Sequence, residues 1–148
     1  MKISTKGRYG LRAMVDLAVF SNGDHVSLNS IAERQNISIN YLEQVFASLR
    51  KAGLVKSIKG AQGGYVLSDS PENIRVGSIL RILEGELTVI DGEDADQSSR
   101  NSIQLCLKAM VWDKMNHCLN DLVDAITMED LVNDYKKLNG LSDSMYYI

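Results

Sequence analysis

A run of short and amide-bearing polar side chains occupies one side of the segment from residue 38 to residue 50. Glutamine can pair with adenine through two hydrogen bonds, and glutamate can accept one from the cytosine amino group. Hydroxyl groups suit phosphate oxygens, which position a protein on a duplex without specifying its sequence. The pattern predicts contacts with duplex DNA by Ser38, Asn40, Tyr41, Glu43 and Gln44.

A glycine-rich segment with a cation at its base follows this run. Lys59 precedes Gly60, Gly63 and Gly64. Glycines let a backbone approach a duplex closely, and a long cation can reach the negative potential of a minor groove. A plain hairpin turn that needs glycine for positive φ explains the same residues, but the neighbouring polar run favours the DNA interpretation. Three further cations would contribute to phosphate contact: Lys2, Arg50 and Lys56.

The elements that must position these residues follow from apolar spacing. Ser4 and Ser27 are predicted to cap two helices, the second over residues 28–35, and a third is predicted over residues 39–52. Two short strands over 54–58 and 65–67 would flank the glycine segment. Helix, helix, turn, helix and hairpin is the order of a winged helix-turn-helix, and we assign it to residues 1–70. The predicted fold is mainly α, with a small β-hairpin wing and a long dimerisation helix.

The second half is predicted to connect, dimerise and sense. A short helix over 76–84 and an exposed acidic loop over 86–101 make up the connection, residues 71–101. A long helix over 102–125 and a last helix capped by Thr127 and ended by Gly140 make up the dimerisation and sensing part, residues 102–140, before a free tail at 141–148. The predicted dimer seam repeats at near-heptad spacing: Leu107, Val111, Met115, Cys118 and Leu122.

Charge and composition set the class. Residues 1–68 carry nine Lys/Arg against four Asp/Glu, and residues 86–148 carry five against twelve, so only the first half suits a polyanion. No apolar run exceeds four residues and the N-terminus has no apolar signal core, which predicts a cytoplasmic protein. There is no nucleophile–base motif, phosphate loop or paired histidine motif, so an enzyme is not expected.

Four motifs carry a family resemblance: Lys2-Ile-Ser-Thr-Lys-Gly-Arg-Tyr-Gly10, Tyr41-Leu-Glu-Gln44, Leu49-Arg-Lys-Ala-Gly-Leu-Val55 and Lys59-Gly-Ala-Gln-Gly-Gly-Tyr65. In this order they resemble the Rrf-two family of bacterial regulators over nearly the whole chain. The resemblance implies a homodimer that crosses through the long helix and grips a palindromic DNA site. It also implies DNA contact at Ser38, Tyr41, Glu43, Gln44 and the wing cation, which is Lys59 here and arginine in many relatives.

The resemblance also bears on cofactors. Members that bind iron–sulfur clusters carry three cysteines before the long helix, and thiolates are the usual cluster ligands. Here only Cys106 resembles that set, and the two upstream cysteines are missing from residues 86–101. We therefore expect no cofactor and no metal site. A cluster completed by unusual ligands, including residues across a dimer, stays open as the alternative.

Within the family, the chain most resembles the clusterless repressors of cysteine metabolism, and next the iron–sulfur regulators. Those repressors end in a similar aromatic–aromatic–isoleucine tail and act with cysteine synthase, whose active site accepts a C-terminal isoleucine. The resemblance implies the same partner for Tyr146, Tyr147 and Ile148, although an ordinary frayed terminus explains the tail equally well. We expect a DNA-binding repressor of cysteine and sulfur metabolism. The alternatives are an iron–sulfur or redox regulator, and a winged protein-interaction module that does not bind DNA.

Overall fold

The first half folds into three helices and a hairpin. The computed structural model describes residues 1–91 and 101–146. Strand β1 (Val55–Ile58) pairs antiparallel with strand β2 (Gly64–Leu67), with Val55 opposite Leu67 and Ile58 opposite Gly64. This mainly helical fold with a two-stranded wing confirms the predicted fold class, and its elements are α1 (Thr5–Phe20), α2 (Leu28–Gln35), α3 (Ile39–Lys51), β1 (Val55–Ile58) and β2 (Gly64–Leu67).

Serine side chains begin all three of these helices. The Oγ atoms of Ser4, Ser27 and Ser38 accept hydrogen bonds from backbone N–H groups three residues later, at 3.3, 3.2 and 3.2 Å. Each bond satisfies one N–H group that a helix start leaves without a partner. Asn36 ends α2 in the left-handed conformation, with φ 53°. The chain therefore turns sharply before α3, as the sequence predicts.

The second half contributes to the core of the first. A 3-10 turn (Pro71–Asn73) leads into α4 (Val76–Glu84), and α7 (Met128–Tyr146) ends the described chain. Met128 is fully buried in the same cluster as Met14, Phe46 and Ile79. Its N–H donates to the carbonyl of Ile74 at 2.9 Å. The core under the winged unit therefore closes only when α4 and the start of α7 are in place.

The predicted long helix is continuous over residues 102–125. It comprises α5 (Ser102–Leu107), a π-helical turn (Lys108–Trp112) and α6 (Asp113–Ala125). We call these three segments together the long helix. Single π turns within α-helices occur frequently at functional sites. Thr127 then caps α7, because its Oγ1 accepts from the N–H of Asp130 at 3.1 Å.

The expected exposed loop after α4 is wrong at its start. Leu87 is 4% exposed and packs with Val76, Leu80 and Val123. The long helix also fixes the backbone here, since Asn120 donates to the carbonyl of Leu87 at 3.0 Å. The prediction was based on the acidic residues that follow. In the structure, burial of the Leu87 side chain holds the start of this segment against α4 and the long helix. The remainder of the acidic loop, residues 92–100, lies outside the described residues.

The prediction that Gly140 ends the last helix is also wrong. Helix α7 continues through it to Tyr146, and Gly140 is not among the glycines with positive φ. A glycine within a helix costs about 1 kcal/mol relative to alanine, which the other residues of a long helix can offset. The tail is therefore not free from residue 141. Tyr146 is the last helical residue, and Tyr147 and Ile148 lie outside the described residues.

Within residues 1–91 and 101–146, no helix is both long enough and apolar enough to span a membrane.

Candidate nucleic-acid interface

Helix α3 buries one face and exposes the other. Leu42, Val45, Phe46 and Leu49 are buried at helical spacing, so the remaining positions face outward. Of the predicted DNA-contacting residues, Tyr41 is half-buried, while Ser38, Asn40, Glu43 and Gln44 are exposed.

Two aromatic rings and one hydroxyl fix the start of α3. The Tyr41 ring meets the Tyr9 ring edge to face, with 6.0 Å between centroids and 74° between planes. The Ser38 hydroxyl oxygen accepts the capping bond from the N–H of Tyr41, which leaves its proton free to donate to a phosphate oxygen. Both side chains therefore make a structural contact at the start of α3, and their contact with DNA stays a prediction.

The hairpin and α3 border one concave surface. A cleft of about 350 Å³ lies between the start of α2, helix α3 and the wing. Glu43 and Arg50 of α3 line it together with Lys59 and Gly63 of the wing. The structure thus brings together residues of the two segments that the sequence singles out.

The wing is held to the rest of the winged unit by a third backbone segment. Val26 and Tyr65 exchange two backbone hydrogen bonds, at 2.9 and 2.8 Å. The Tyr65 ring lies 4.9 Å from the ring of Phe46 in α3. The His25 ring nitrogen Nε2 also makes a hydrogen-bond contact with the carbonyl of Gln62. The orientation of the wing is therefore fixed relative to α3.

Two of the wing glycines have a role inside the protein. A Cβ atom at Gly63 would collide with the carbonyl oxygen of Ile58, and one at Gly64 with the carbonyl oxygen of Val26. Gly60 differs from them, because its φ is 125° and a Cβ atom added there would meet no other atom within 4 Å. Close packing inside the protein, within the hairpin for Gly63 and against Val26 for Gly64, explains both glycines without DNA. Close approach of the wing backbone to a duplex stays a prediction.

The predicted phosphate-contacting cations are available to a ligand. Lys2, Arg50, Lys56 and Lys59 are all exposed. None of them takes part in an ion pair between described residues. Their charge is therefore not neutralised within the described part of the chain, which is the condition for displacing counterions from a nucleic acid.

A buried polar cluster that sequence reasoning missed holds α2 against α1. The Asp16 carboxylate, with none of its side chain exposed, accepts from Arg34 at 2.7 and 2.9 Å and from Gln35 at 2.9 Å. The hydrogen bond with Asp16 raises the pKa of the Arg34 guanidinium, which also lies 4.1 Å from the centre of the Phe20 ring. The sequence signal that could have revealed this cluster is an acidic residue, Asp16, on the inward face of α1, three positions after Ala13.

The predicted dimer seam is uncovered in the single chain. Leu107, Met115 and Leu122 are 42%, 47% and 60% exposed. Cys118 is also exposed and Val111 is half-buried. Large apolar side chains exposed in a row on one helix are typical of an interaction surface.

The described residues do not fit an iron–sulfur cluster within one chain. Cys106 and Cys118 are free and exposed, and twelve residues of helix separate them by about 18 Å. Among the described residues, no group of three histidine, cysteine, aspartate or glutamate side chains could hold a metal ion. An iron–sulfur cluster ordinarily takes four protein ligands.

Comparisons with known proteins agree with this architecture. Residues 3–134 match the model of the Rrf2 (Rrf-two) family, described as iron-dependent transcriptional regulators. The HTH-type transcriptional regulator CymR of Bacillus subtilis is 41% identical over 133 residues, which cover 90% of this chain and 91% of that protein. The solved structure of CymR, the global cysteine regulator of B. subtilis, aligns with a TM-score of 0.76 over 90% of this chain and 97% of that chain.

The solved structure of T. potens IscR also aligns. Its TM-score is 0.73 at 44% identity, over 93% of this chain and 90% of that chain. The matched proteins are transcriptional regulators and not enzymes. The chain belongs to the Rrf2 family of winged helix-turn-helix transcriptional regulators.

Proposed function

We propose that this chain is a sequence-specific DNA-binding repressor that acts as a homodimer on genes of cysteine and sulfur metabolism. The observation that carries the DNA-binding part is the cleft shared by α3 and the wing. Glu43, Arg50 and Lys59 border it together, and neither cation is paired with a carboxylate among the described residues. This arrangement suits a helix in the major groove and a wing beside it.

The residues divide into two roles. Glu43 and Gln44 project from the exposed face of α3 and would read base edges by hydrogen bonding. Ser38, Tyr41 and the four exposed cations would bind phosphates, which positions the protein on the duplex.

Dimerisation is proposed through the exposed apolar row on the long helix. Leu107, Met115 and Leu122 would be shielded from water by a second copy. Burial of apolar surface contributes about 25 cal/mol per Å². Two winged units joined in this way would bind two halves of a palindromic site.

The sulfur assignment rests on the similarity to CymR, the global cysteine regulator of B. subtilis. For this chain we propose only the class of target genes, those of cysteine and sulfur metabolism. The alternative of an iron–sulfur regulator has less support, because no three possible metal ligands lie together among the described residues and the chain has only two cysteines. Anaerobic purification with iron analysis tests this alternative, and cluster-bound iron would establish it.

The DNA-binding proposal is tested with the full chain on duplexes selected by the protein from a random library. Gln44→Ala should lose about 1–3 kcal/mol of binding free energy and relax base preference at one position per half-site. Lys59→Ala should weaken binding to all duplexes and reduce the salt slope by about 0.9 for each phosphate that the variant no longer neutralises. Lys137→Ala, an exposed cation on α7, is the matched control. If the parent enriches no sequence and binds duplexes without salt dependence, the proposal that the winged unit reads DNA is wrong.

A cysteine synthase partner is a separate part of the proposal. Because α7 is helical to Tyr146, residues 141–146 would have to unwind before the last eight residues could bind in an extended form. Deletion of Ile148 should weaken binding to cysteine synthase at least tenfold, about 1.4 kcal/mol, and leave DNA affinity unchanged. Equal binding by the truncated chain would remove this partner and leave the DNA-binding proposal intact.

A further inference from the structure

An apolar groove runs along α1 on its α7 side. Its volume is about 600 Å³, within the range of about 300–1,000 Å³ that is usual for small-molecule sites. Leu11, Val15 and Val19 line it from α1 and Leu131 from α7. The three α1 positions are four residues apart, so the apolar strip is about 12 Å long.

Two arginines lie at the N-terminal end of this strip. Arg8 and Arg12 both line the groove, and their guanidinium groups lie 5.8 and 5.1 Å from the centre of the Tyr9 ring. Neither arginine forms an ion pair with any described residue. The carboxylate of Asp16, also in the lining, is already bound by Arg34. The groove thus combines an apolar strip with two guanidinium charges that no carboxylate of the described residues neutralises.

The same arginines connect the groove to the DNA-binding unit. The Arg12 guanidinium donates to the carbonyl of Gln35, the last residue of α2. The Tyr9 ring, which both guanidinium groups approach, packs against Tyr41 at the start of α3. A ligand that draws the guanidinium of Arg12 away would therefore loosen contacts at both helices of the helix-turn-helix.

We propose that this groove binds a small organic carboxylate with an apolar body, and that the ligand weakens DNA binding. The regulatory part rests on the proposed function. Charge complementarity favours an anion, because an arginine fork binds a carboxylate through two charge-assisted hydrogen bonds. A second copy of the chain has a different candidate surface, the exposed apolar row on the long helix.

The binding test uses octanoate as the probe, titrated calorimetrically into the full chain without DNA. Saturable binding of one octanoate per chain is expected, and uncharged octan-1-ol should not saturate. Arg12→Gln should weaken octanoate binding at least tenfold, about 1.4 kcal/mol. Val19→Trp should also abolish octanoate binding, because the indole ring fills the groove while both arginines remain. This variant tests the site even if Arg12→Gln disturbs α2. Lys137→Gln, with a cation outside the lining, should bind like the parent.

Three results would overturn the site: no saturable octanoate binding, equal binding by octan-1-ol, or unchanged binding in Val19→Trp. If octanoate does not bind and Val19→Trp changes the sedimentation coefficient, a second copy covers the groove and the proposal is wrong.

The regulatory part is tested on a duplex that the parent binds. Saturating octanoate should weaken that complex at least fivefold, the lower end of usual coupling between sites, and should have no effect in Val19→Trp. Octanoate binding without any change in DNA affinity would overturn the regulatory part and keep the site. A parent that binds octanoate and no duplex would remove the proposed function instead, so the two failures are distinguishable.

Discussion

The buried contact between Asp16 and Arg34 makes an asymmetric prediction about stability. The Asp16 side chain has no exposed surface, whereas the Arg34 side chain is 32% exposed. Removing the arginine leaves a buried carboxylate whose remaining partner among the described residues is the amide of Gln35. Removing the aspartate leaves a guanidinium that water can still reach. We therefore expect Arg34→Ala to be the more destabilising of the two substitutions.

The magnitudes follow from the same geometry. Breaking a buried ion pair from one side costs about 3–5 kcal/mol, and Arg34→Ala should fall in that range. Asp16→Ala removes three hydrogen bonds of 2.7–2.9 Å. Such bonds to charged groups contribute about 1.5–3 kcal/mol each without being additive. Partial solvation of the freed arginine should limit the total to about 2–3 kcal/mol.

The assay is urea unfolding of the parent and variants at one fixed protein concentration, since dimerisation would couple to unfolding. Lys137→Ala, on the exposed side of α7, should change the free energy of unfolding by less than about 0.5 kcal/mol. The double variant should be destabilised by less than the sum of the two single effects. If Asp16→Ala is as destabilising as Arg34→Ala, solvent exposure does not determine the asymmetry and the reasoning is refuted.

Four further predictions concern other parts of the fold. Leu122→Asp should place a charge in the proposed dimer seam and yield monomers in sedimentation, and a parent that is itself monomeric at micromolar concentration would contradict the seam. Gly64→Ala should destabilise the wing by about 1–3 kcal/mol through overpacking, measured by thermal unfolding, and weaken DNA binding. Gly140→Ala should stabilise α7 by about 0.5–1 kcal/mol; a decrease in stability would show that the glycine ends the helix after all. The hydrogen bond from Arg81 lowers the pKa of Asp124. The Asp124 carboxylate therefore stabilises the fold above its ordinary pKa of about 4, and this stabilisation is lost as the pH falls through the lowered pKa. Arg81→Gln should lack this part of the acid dependence of the free energy of unfolding, measured below about pH 5.

Local signals predicted the winged unit and α4 well. Ser4, Ser27 and Ser38 begin helices because each carries a short side-chain acceptor ahead of an apolar repeat. The predicted helices over 28–35 and 76–84 coincide with the observed α2 and α4. The sequence singles out the polar run and the glycine segment, and Glu43 of the first lines one cleft with Lys59, Gly63 and Gly64 of the second.

Two of the three failures, at Leu87 and Asp16, involve contacts between residues distant in sequence. Leu87 is buried by side chains of α4 and the long helix, and no periodicity near residue 87 reveals those neighbours. Gly140 carries a strong local stop signal, which the continuing helix overrides. Asp16 was passed over because its partners lie eighteen and nineteen residues away on α2. Patterns within one element predict that element, but they do not identify its tertiary neighbours.

The place of Met128 in the core has a consequence for synthesis of the protein. All the residues proposed to contact DNA have been made once residue 64 is added, yet the core beneath them is incomplete until Met128 emerges. At about 5–20 residues per second, translation from residue 64 to residue 128 takes about 3–13 s. During that interval the nascent winged unit is without one of its fully buried side chains. A message truncated before α7 would therefore yield a chain that carries every proposed recognition residue and still fails to fold into a stable competitor for the operator.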